Sequence, residues 1–555
     1  MTLTDILLIV ALAVFVLSWW IRRTPARRIV LIASAVAIIA ISVAGILTDR
    51  WQSVAGIVAG VVLLAGLGGV VIKNRLTKTD HTGGVPWASG VPITLGALVP
   101  VISIILFPVW PLPKPSGDHL VGVRTFALTD SARLGVLMAK PDQPRRLLVR
   151  VWYPAESVSG DPTPYFSDAE TKSTATSLGA LVGFPPFFTY VRHVKTNSYA
   201  NAPLLAGARD LPVVFYSHGY TSFMNQNTVL MEVLASHGYV VFSIQHTYDS
   251  SATAFPDGSV EPMDPALFTM DQSAEAARPS QADALGGSDI GKRLEGALAF
   301  QEYSMRRGDR ITAKSTPAWV GDRMFLHDTL QNAPPESVAD IAAASNLRRV
   351  GEMGMSFGGA ISGEICMIDP RCAAGVNLDG GNFPFSAFNS DVPAPFLMFH
   401  SDMGAMYESM EREVPEGTTP RGFNEFSYER IAEVGQRDDI YRVQLKGALH
   451  LGLSDFSLFV ASPVRDPLFG GAPADVTIGA QNEFVLGFFD KHLRGQANEF
   501  PKKQLADYEG WVLPTPNNDL AAWWNAKPEA ERIAIETRIN GIKNYGKVPP
   551  GGPDE

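Results

Sequence analysis

The chain has 555 residues, which is too many for one ordinary domain, and it carries a net charge of −10 at pH 7. No stripe of basic and aromatic side chains follows the first hundred residues, so nucleic acid is not expected as a partner. Apolar residues make up 46% of the chain and the mean hydropathy is +0.07, with the apolar excess at the N-terminus.

Four apolar runs open the sequence, and each approaches the ~20 residues that a helix needs to cross a bilayer. We expect about four transmembrane helices, with three as the alternative, over about residues 3–21, 29–47, 54–72 and 91–110. A cleaved signal peptide fits poorly, because no positive charge precedes the first run and further apolar runs follow it. Residues 1–110 are therefore predicted to form a membrane anchor.

Basic residues lie in the loops after the first and third runs, and they set the predicted orientation. They are Arg22, Arg23, Arg27, Arg28, Lys73, Arg75 and Lys78. The positive-inside rule makes these loops cytoplasmic, while Asp49 and Arg50 cancel in the loop between the second and third runs. The prediction is a multi-pass protein of the cell membrane, with everything after residue 110 on the extracytoplasmic side.

An alternating pattern of strands and helices begins after the Pro-rich hinge at residues 111–115. Apolar β-runs at 211–217 and 239–244 flank a helical pattern, which is typical of a βαβ unit and a mostly parallel sheet with helices on both faces. We expect a catalytic domain over residues 111–500, a cap inserted at about 250–345, and a C-terminal extension over 501–555.

The stretch Gly354-Met355-Ser356-Phe357-Gly358 lies between a β-like run and a helix-like run. This is the G-x-S-x-G pattern of a nucleophile elbow, in which glycines permit the sharp turn that exposes the serine hydroxyl. The N–H of Phe357 would open the helix and point at a developing oxyanion. The plain alternative is a Gly-rich turn that happens to contain a serine.

A serine nucleophile needs a histidine to accept its proton and a carboxylate to orient that histidine. Asp379 follows the predicted strand 373–378, and His450 follows the predicted strand 441–446, so the chain order is serine, acid, histidine. Asp402, one strand later, is the alternative acid. Among the other histidines, His218 is interpreted as structural.

His237 and His246 are interpreted as surface or capping groups, and His327 as part of the cap. Cys366 and Cys372 are the two cysteines of the chain. They either form a small disulfide, if the domain lies in an oxidising compartment, or remain two buried free thiols.

Several stretches are shared with a known family: 211–219, 235–239, the elbow, 378–380, and His450 with Asp455-Phe456. From about residue 114 to 495 the chain resembles the secreted platelet-activating factor acetylhydrolases (plasma type, group VII phospholipase A2). The resemblance implies an α/β-hydrolase fold with Ser356 as nucleophile, Asp379 as acid and His450 as base. It also implies that the backbone N–H groups of Tyr220 and Phe357 stabilise the oxyanion.

The separation of Ser356 and Asp379 also resembles that of the family, which favours Asp379 over Asp402. Two features depart from the family pattern: Met355 stands where a histidine is usual, and the N-terminal helices have no counterpart in the secreted animal enzymes. A bacterial, membrane-anchored relative is therefore expected. Met355, Phe187 and Phe188 are candidates for the substrate pocket. The apolar cluster at 183–188 is interpreted as core packing, as a substrate entrance or as a lipid contact.

These observations predict a serine ester hydrolase that works through an acyl-serine intermediate on a short-acyl or amphiphilic lipid ester. No cofactor or metal is expected, because the sequence has no H-E-x-x-H pattern and no calcium-loop spacing. The expected partners are the ester and the bilayer, and the oligomeric state is open. The alternatives are a cutinase-like polyester hydrolase, a general carboxylesterase, an acyltransferase, or a membrane sensor or scaffold with a degenerate hydrolase domain.

Overall fold

A computed structural model of the chain describes residues 1–21, 24–77, 87–268, 288–414 and 424–545. The chain divides into two compact units. The first contains residues 1–112 together with 164–195 and 458–465, and the second contains 113–163, 196–457 and the residues from 466 onward. The predicted domain boundary near residue 110 leaves out residues 164–195 and 458–465, which pack with the N-terminal helices.

Four helices form most of the first unit: α1 (Leu3–Trp19), α2 (Pro25–Leu47), α3 (Val54–Thr77) and α4 (Trp87–Leu106). Their inner faces share one apolar core, and their outer faces are also apolar but exposed. Buried members of that core include Leu8, Phe15, Leu31, Ile38, Leu63 and Ile104. Exposed apolar side chains include Val10, Leu17, Val36, Leu47, Val58, Val62, Leu95 and Ile105.

The expectation of about four spanning helices is wrong. Among the described residues, two helical stretches are long and apolar enough to cross a membrane, Ala26–Leu47 and Trp51–Gly69. The first apolar run continues beyond its helix, since α1 has 17 residues and ends at Trp19, and α4 ends at Leu106. Arg22, Arg23 and Lys78, which the predicted orientation uses, lie outside the described residues.

Long-range ion pairs connect the loop between α2 and α3 to distant parts of the first unit. The Nε of Arg50 donates to Oδ1 of Asp5 at 3.0 Å, and both side chains are buried. Arg50 Nη1 also donates to the carbonyl of Phe107 at 2.9 Å. Asp49 does not cancel Arg50 locally but accepts from Arg192 at 2.6 Å. Since the partners are far apart in sequence, charge counting along the loop could not find them.

The second unit is built on a ten-stranded mixed sheet. Its strand order is β12-β11-β10-β9-β8-β4-β5-β2-β1-β3. The strands are β1 (Leu120–Leu134), β2 (Pro144–Ala155), β3 (Ser198–Ala200), β4 (Leu211–Ser217), β5 (Val240–Gln245), β8 (Ser345–Met355), β9 (Cys372–Leu378), β10 (Phe396–His400), β11 (Ile440–Leu445) and β12 (Val512–Pro514). Two strands of two residues each, β6 (Thr253–Ala254) and β7 (Val260–Glu261), form a separate antiparallel hairpin.

The six strands from β5 to β11 in that order run parallel, and antiparallel pairs with β2 and β12 flank them. Parallel strands are buried on both faces, as the uninterrupted burial of β5 shows. The helices of six or more residues are α5 (Thr176–Leu181), α6 (Thr228–Ser236), α7 (Ile290–Arg307), α8 (Thr316–Asn332), α9 (Ala339–Ala344), α10 (Phe357–Ile368), α11 (Met403–Ser409), α12 (Ala474–His492), α13 (Lys502–Asp507), α14 (Asn518–Asn525) and α15 (Glu529–Lys543).

Helices cover both faces of the sheet, as expected for an α/β-hydrolase. Leu234 of α6 and Phe484 of α12 pack with β4 and β8 on one face. Leu326 of α8 and Ile341 of α9 pack with β2, β4 and β5 on the other. A disulfide between Cys366 and Cys372 joins the end of α10 to the start of β9.

Two predicted segments have other roles in the described structure. Within the predicted cap, α8 is a core helix of the sheet, and His327 on it is buried with Nε2 2.7 Å from the carbonyl of Leu347. The predicted C-terminal extension supplies β12 as well as α14 and α15, whose Trp524 and Ile539 pack against α7. Residues 269–287 of the cap and the end after residue 545 lie outside the described part of the chain.

A buried ion pair fixes α8 to the sheet. Arg145 of β2 donates to both oxygens of Asp322 on α8, at 3.0 and 2.7 Å, and neither side chain is exposed. These bonds and the cationic neighbour keep the pKa of Asp322 below its usual range, although burial alone would raise it.

Replacing Asp322 with asparagine is therefore expected to lower the free energy of unfolding by about 3–5 kcal/mol, because it leaves the Arg145 charge buried and uncompensated. Urea denaturation of the detergent-solubilised chain measures this loss. Asp340→Asn is the matched control, since Asp340 pairs with Arg124 at 2.6 Å but is 48% exposed. The control substitution should lower the free energy of unfolding by about 0–1 kcal/mol. Equal losses in the two variants would contradict the assignment of Arg145 and Asp322 as a stabilising buried ion pair.

Candidate active site

Ser356 occupies a strained turn between β8 and α10. Its backbone angles are φ 55° and ψ −124°, a region that costs a non-glycine residue about 1–3 kcal/mol. A Cβ on Gly354 would lie 2.1 Å from the backbone of Gly358, and one on Gly358 would lie 2.0 Å from the carbonyl oxygen of Ser217. Both glycines of the motif are therefore required by close backbone packing, which gives the strand–turn–helix geometry that the motif predicts.

Ser356, His450 and Asp379 form one hydrogen-bonded chain. His450 Nε2 lies 2.9 Å from Ser356 Oγ, and His450 Nδ1 lies 2.6 Å from Asp379 Oδ2. An ionised carboxylate only accepts, so Nδ1 carries the proton and Nε2 is left to accept from the serine hydroxyl. The three residues come from separate strand ends: β8, β9 and the loop after β11.

The electrostatic surroundings keep Asp379 ionised. Ser401 donates to it twice, from N at 2.9 Å and from Oγ at 2.6 Å. Burial alone would raise the pKa of Asp379, but the hydrogen bonds and charge of His450 together with Ser401 lower it below the usual range. Burial likewise lowers the pKa of His450, but Asp379 outweighs it and raises that pKa above its ordinary value.

Asp402, the alternative acid, has a different set of partners. Its Oδ1 accepts from the N–H groups of Gly404 and Ala405 at the start of α11. Its Oδ2 accepts from the N–H of Gly447 at 2.8 Å. Asp402 therefore caps a helix and holds the turn that leads to His450, and the structure pairs His450 with Asp379 instead.

The loop after β4 lies against the nucleophile. A Cβ on Gly219 would be 3.3 Å from Ser356 Cβ. His218 Nε2 accepts from the N–H of His246 at 3.2 Å, so its Nδ1 bears the proton and donates to the carbonyl of Gly219 at 2.6 Å. The N–H of Gly219 donates to Gln226 at 2.7 Å. Both peptide groups of Gly219 are thus fixed, and His218 is structural, as the sequence interpretation has it.

The N–H groups of Tyr220 and Phe357 are the candidate oxyanion donors. Within the described residues, neither donates a hydrogen bond to another protein atom. The rings of these residues contact each other edge to face, with centroids 5.3 Å apart. Two N–H groups beside the nucleophile are therefore available to a bound oxygen atom.

His246 is fully buried, and its interpretation as a surface or capping group is wrong. Its ring stacks on Trp319 at 3.8 Å, Nδ1 lies 2.9 Å from Asp322 Oδ2, and Nε2 lies 3.0 Å from Ser217 Oγ. This is a second serine–histidine–aspartate set, but its histidine and aspartate are 0% exposed. It has no access for a substrate and supports the loop carrying Gly219. The position of His246 directly after a buried strand was the available signal.

Met355 does not line a substrate pocket. Its side chain is fully buried beside Met353 and Leu378 in the sheet core. Side chains alternate along a strand, so Met353 and Met355 share the face covered by α12. A motif position next to the nucleophile is therefore not necessarily close to the substrate.

Phe187 and Phe188 belong to the first compact unit, whereas the triad belongs to the second. The ring of Phe187 packs on Trp51 and Phe107, with centroids 6.1 and 5.7 Å apart, and Phe188 is buried. This arrangement agrees with the core-packing interpretation of these two residues.

Sequence reasoning missed an apolar cluster around Phe357. Its buried members include Trp319 and Ile361, while Ile311 and Phe383 are partly exposed. Phe383 lies 6.1 Å from Phe357 between ring centroids. The cluster draws on three distant segments, so no local pattern could predict it, and it provides an apolar wall beside the nucleophile.

Comparisons with known proteins agree with the fold. The family model described as platelet-activating factor acetylhydrolase, isoform II, matches residues 105–264. Platelet-activating factor acetylhydrolase from Canis lupus familiaris is 22% identical over 395 residues, covering 69% of this chain and 77% of the relative. The chain is thus similar to platelet-activating factor acetylhydrolases over about two thirds of its length.

Two further similarities reach beyond the vertebrate acetylhydrolases. A probable 1-alkyl-2-acetylglycerophosphocholine esterase from Arthroderma benhamiae is 21% identical over 447 residues, covering 71% of this chain and 94% of the relative. The solved structure of a ferulic acid esterase from Streptomyces cinnamoneus has a TM-score of 0.51 at 21% identity, covering 73% of this chain and 99% of that one. The family-model match includes the loop with Tyr220 but ends before Ser356.

The contact between Asp379 and His450 predicts the pH range in which His450 loses its proton. Asp379 raises the pKa of His450, so the midpoint at which the imidazole becomes neutral, and reactive toward diethylpyrocarbonate, should lie above the ordinary histidine value of about 6.5. Asp379→Asn removes the group that raises this pKa and should move the midpoint to lower pH. Peptide-level mass spectrometry of the modified chain measures the midpoint, because the His450 side chain is 43% exposed.

Asp402→Asn is the matched control for this titration. It removes a carboxylate from the next strand end without removing a partner of His450, so the midpoint should stay in place. A wild-type midpoint at or below pH 6.5, or one that Asp379→Asn leaves unchanged, would contradict the assigned pairing.

Proposed function

We propose that this relative of the platelet-activating factor acetylhydrolases is a membrane-anchored serine ester hydrolase with Ser356, His450 and Asp379 as its catalytic triad. The observation that carries the proposal is the position of His450, which bridges Ser356 Oγ at 2.9 Å and Asp379 at 2.6 Å. The names of the relatives also describe ester hydrolases.

In the first half-reaction, Ser356 Oγ attacks the ester carbonyl carbon while its proton moves to His450 Nε2. The carbonyl oxygen becomes an oxyanion and accepts from the N–H groups of Tyr220 and Phe357. Asp379 stabilises the imidazolium that forms. When the tetrahedral intermediate collapses, the C–O bond to the alcohol breaks and His450 returns the proton to the leaving oxygen.

In the second half-reaction, water replaces the alcohol. His450 removes a proton from the water molecule as its oxygen attacks the acyl carbon, and the same two N–H groups stabilise the second oxyanion. Collapse of this intermediate breaks the bond to Ser356 Oγ, which takes the proton back from His450. The products are the carboxylic acid and the free serine, so protons and electrons balance.

Two observations support an anchored, extracytoplasmic enzyme. The spanning stretches Ala26–Leu47 and Trp51–Gly69 are only 33% and 28% buried, unlike core helices of a soluble protein. The disulfide between Cys366 and Cys372 suits an oxidising compartment. We infer that the N-terminal helical unit, which includes α2 and α3, holds the chain in the membrane and that the hydrolase unit is extracytoplasmic.

The proposed substrate is an ester with a short acyl chain on an amphiphilic alcohol, such as an acetylated phospholipid. The names of the relatives specify acetyl esters, and the apolar wall of Phe357, Ile311 and Phe383 fits an apolar substrate group. A general carboxylesterase or a polyester hydrolase would use the same triad, so chain-length preference separates these possibilities.

Kinetics of matched variants test the triad. Hydrolysis of p-nitrophenyl esters from two to twelve carbons is measured for the detergent-solubilised wild type, Ser356→Ala, Asp379→Asn and Asp402→Asn. Ser356→Ala should lose several orders of magnitude in kcat. Asp379→Asn should lose about 10⁴-fold because His450 adopts the wrong tautomer. Asp402→Asn should lose far less, since it does not contact His450.

Fluorophosphonate labelling distinguishes a degenerate domain from an enzyme with an unusual substrate. The wild type should be labelled at Ser356 and Ser356→Ala should not. An unlabelled wild type would favour a sensor or scaffold role. Activity that survives in Ser356→Ala would refute the assigned nucleophile, and Asp402→Asn falling as far as Asp379→Asn would refute the assigned acid.

A further inference from the structure

One segment of the first unit carries an exposed apolar tip. The segment begins with α5 (Thr176–Leu181), turns at Val182, Gly183 and Phe184, and continues as a short 3₁₀ helix over Pro185–His193. We call Val182, Gly183 and Phe184 the tip. Val182 is 61% exposed and Phe184 is 40% exposed.

The backbone of the tip is held in a tight hairpin. Gly183 has φ 74°, which favours glycine. A Cβ on Gly179 would lie 2.2 Å from the carbonyl of Pro185, so the two arms of the hairpin pass each other closely. The exposed side chains are therefore displayed by a defined turn rather than by a loosely packed chain.

The tip is attached to the end of the spanning helices. Trp51, at the start of the spanning stretch of α3, donates from Nε1 to the carbonyl of Phe187 at 3.1 Å. The ring of Phe184 contacts the Trp51 ring edge to face at 5.1 Å. His193 Nε2 lies 2.6 Å from the carbonyl of Thr48, just after the end of α2.

This attachment fixes the depth of the tip relative to α2 and α3. Tryptophan at the end of a spanning helix is typical of the membrane–water interface. Leu47, at the end of α2, is 80% exposed at the same end of the helices. The tip therefore lies where the hydrocarbon region of a bilayer around α2 and α3 would end.

The composition of the segment fits that position. From Thr176 to Val191 the sequence contains no Asp, Glu, Lys, Arg or His. Charged groups appear directly after it, where Arg192 pairs with Asp49 at 2.6 Å and also with Asp168. An apolar tip bordered by ion pairs on one side matches the gradient from acyl chains to head groups.

We propose that the tip inserts into the interfacial layer of the bilayer beside α2 and α3. It is a second lipid contact, contributed by sequence between β2 and β3 rather than by the N-terminal helices. The proposal rests on the membrane anchoring proposed above. A second copy of the chain or another protein on the tip is the alternative outcome.

Site-specific fluorescence in lipid nanodiscs tests the proposal. The two native cysteines are paired, so a single introduced cysteine can be labelled with a bimane probe. Three variants are compared: Val182→Cys at the tip, Val36→Cys on the outer face of α2, and Val260→Cys in the second unit. Their native side chains are exposed to similar extents, at 61%, 51% and 53%.

Quenching by lipids that carry a nitroxide near the head group or deep in the acyl chain reports the depth of each probe. Val36→Cys should be quenched most by the deep nitroxide, and Val182→Cys most by the shallow one. Quenching of Val182→Cys should exceed that of Val260→Cys several-fold with the shallow nitroxide.

The outcomes separate the two proposals. If Val36→Cys is quenched but Val182→Cys is not, the tip does not touch lipid and only the anchoring stands. If Val36→Cys is also unquenched, the anchoring itself is refuted. A probe at Val182→Cys that is shielded from both nitroxide lipids and aqueous iodide would indicate a protein partner and overturn the proposal.

Discussion

The strained turn at Ser356 is the constraint on which the catalytic unit depends. A left-handed φ of 55° at a serine persists only when the surrounding backbone over-determines it. Here Gly358 packs against the carbonyl of Ser217 at the end of β4, and a Cβ on Gly380, after β9, would lie 2.1 Å from the carbonyl of Ser356. Ser217 is followed directly by the loop with Tyr220, and Gly380 directly follows Asp379. One packing arrangement therefore brings together the proposed nucleophile, a candidate oxyanion donor and the proposed acid.

Two serine–histidine–aspartate sets in one unit show that hydrogen-bond geometry alone does not define an active site. The set of Ser217, His246 and Asp322 has distances close to those of Ser356, His450 and Asp379. Burial lowers the pKa of His246 despite Asp322, whereas the pKa of His450 is raised. Of the two histidines, His450 is the one whose side chain is exposed, at 43%, as a proposed general base must be. The buried set is part of the support for the loop that faces Ser356.

Local sequence patterns predicted the parts of the fold that depend on neighbouring residues. The parallel strands, the turn at Ser356 and the order of the three triad members each follow from short motifs or from periodicity. The patterns did not predict which face of β8 Met355 occupies, because that requires knowing which helix covers the strand. They also missed the burial of His246, whose partner Asp322 lies 76 residues away. Contacts between distant segments account for these errors, as they do for α8, which is a core helix rather than a cap.

Contacts between distant segments also determine the structure of the first unit. Hydropathy identifies apolar runs but not where a helix ends, and α1 ends after 17 residues, short of the run that was expected to span. Nor does hydropathy show that Arg50 is neutralised by Asp5 and covered by the ring of Tyr190 at 5.4 Å. Tyr190 in turn donates to the carbonyl of Phe459. The end of the helical unit is thus assembled from residues that follow β2 and residues that follow the His450 loop. Arg50 is neutralised within the N-terminal helices, but the side chain that covers it comes from distant sequence, so the helical unit is completed by segments that interrupt the hydrolase sequence.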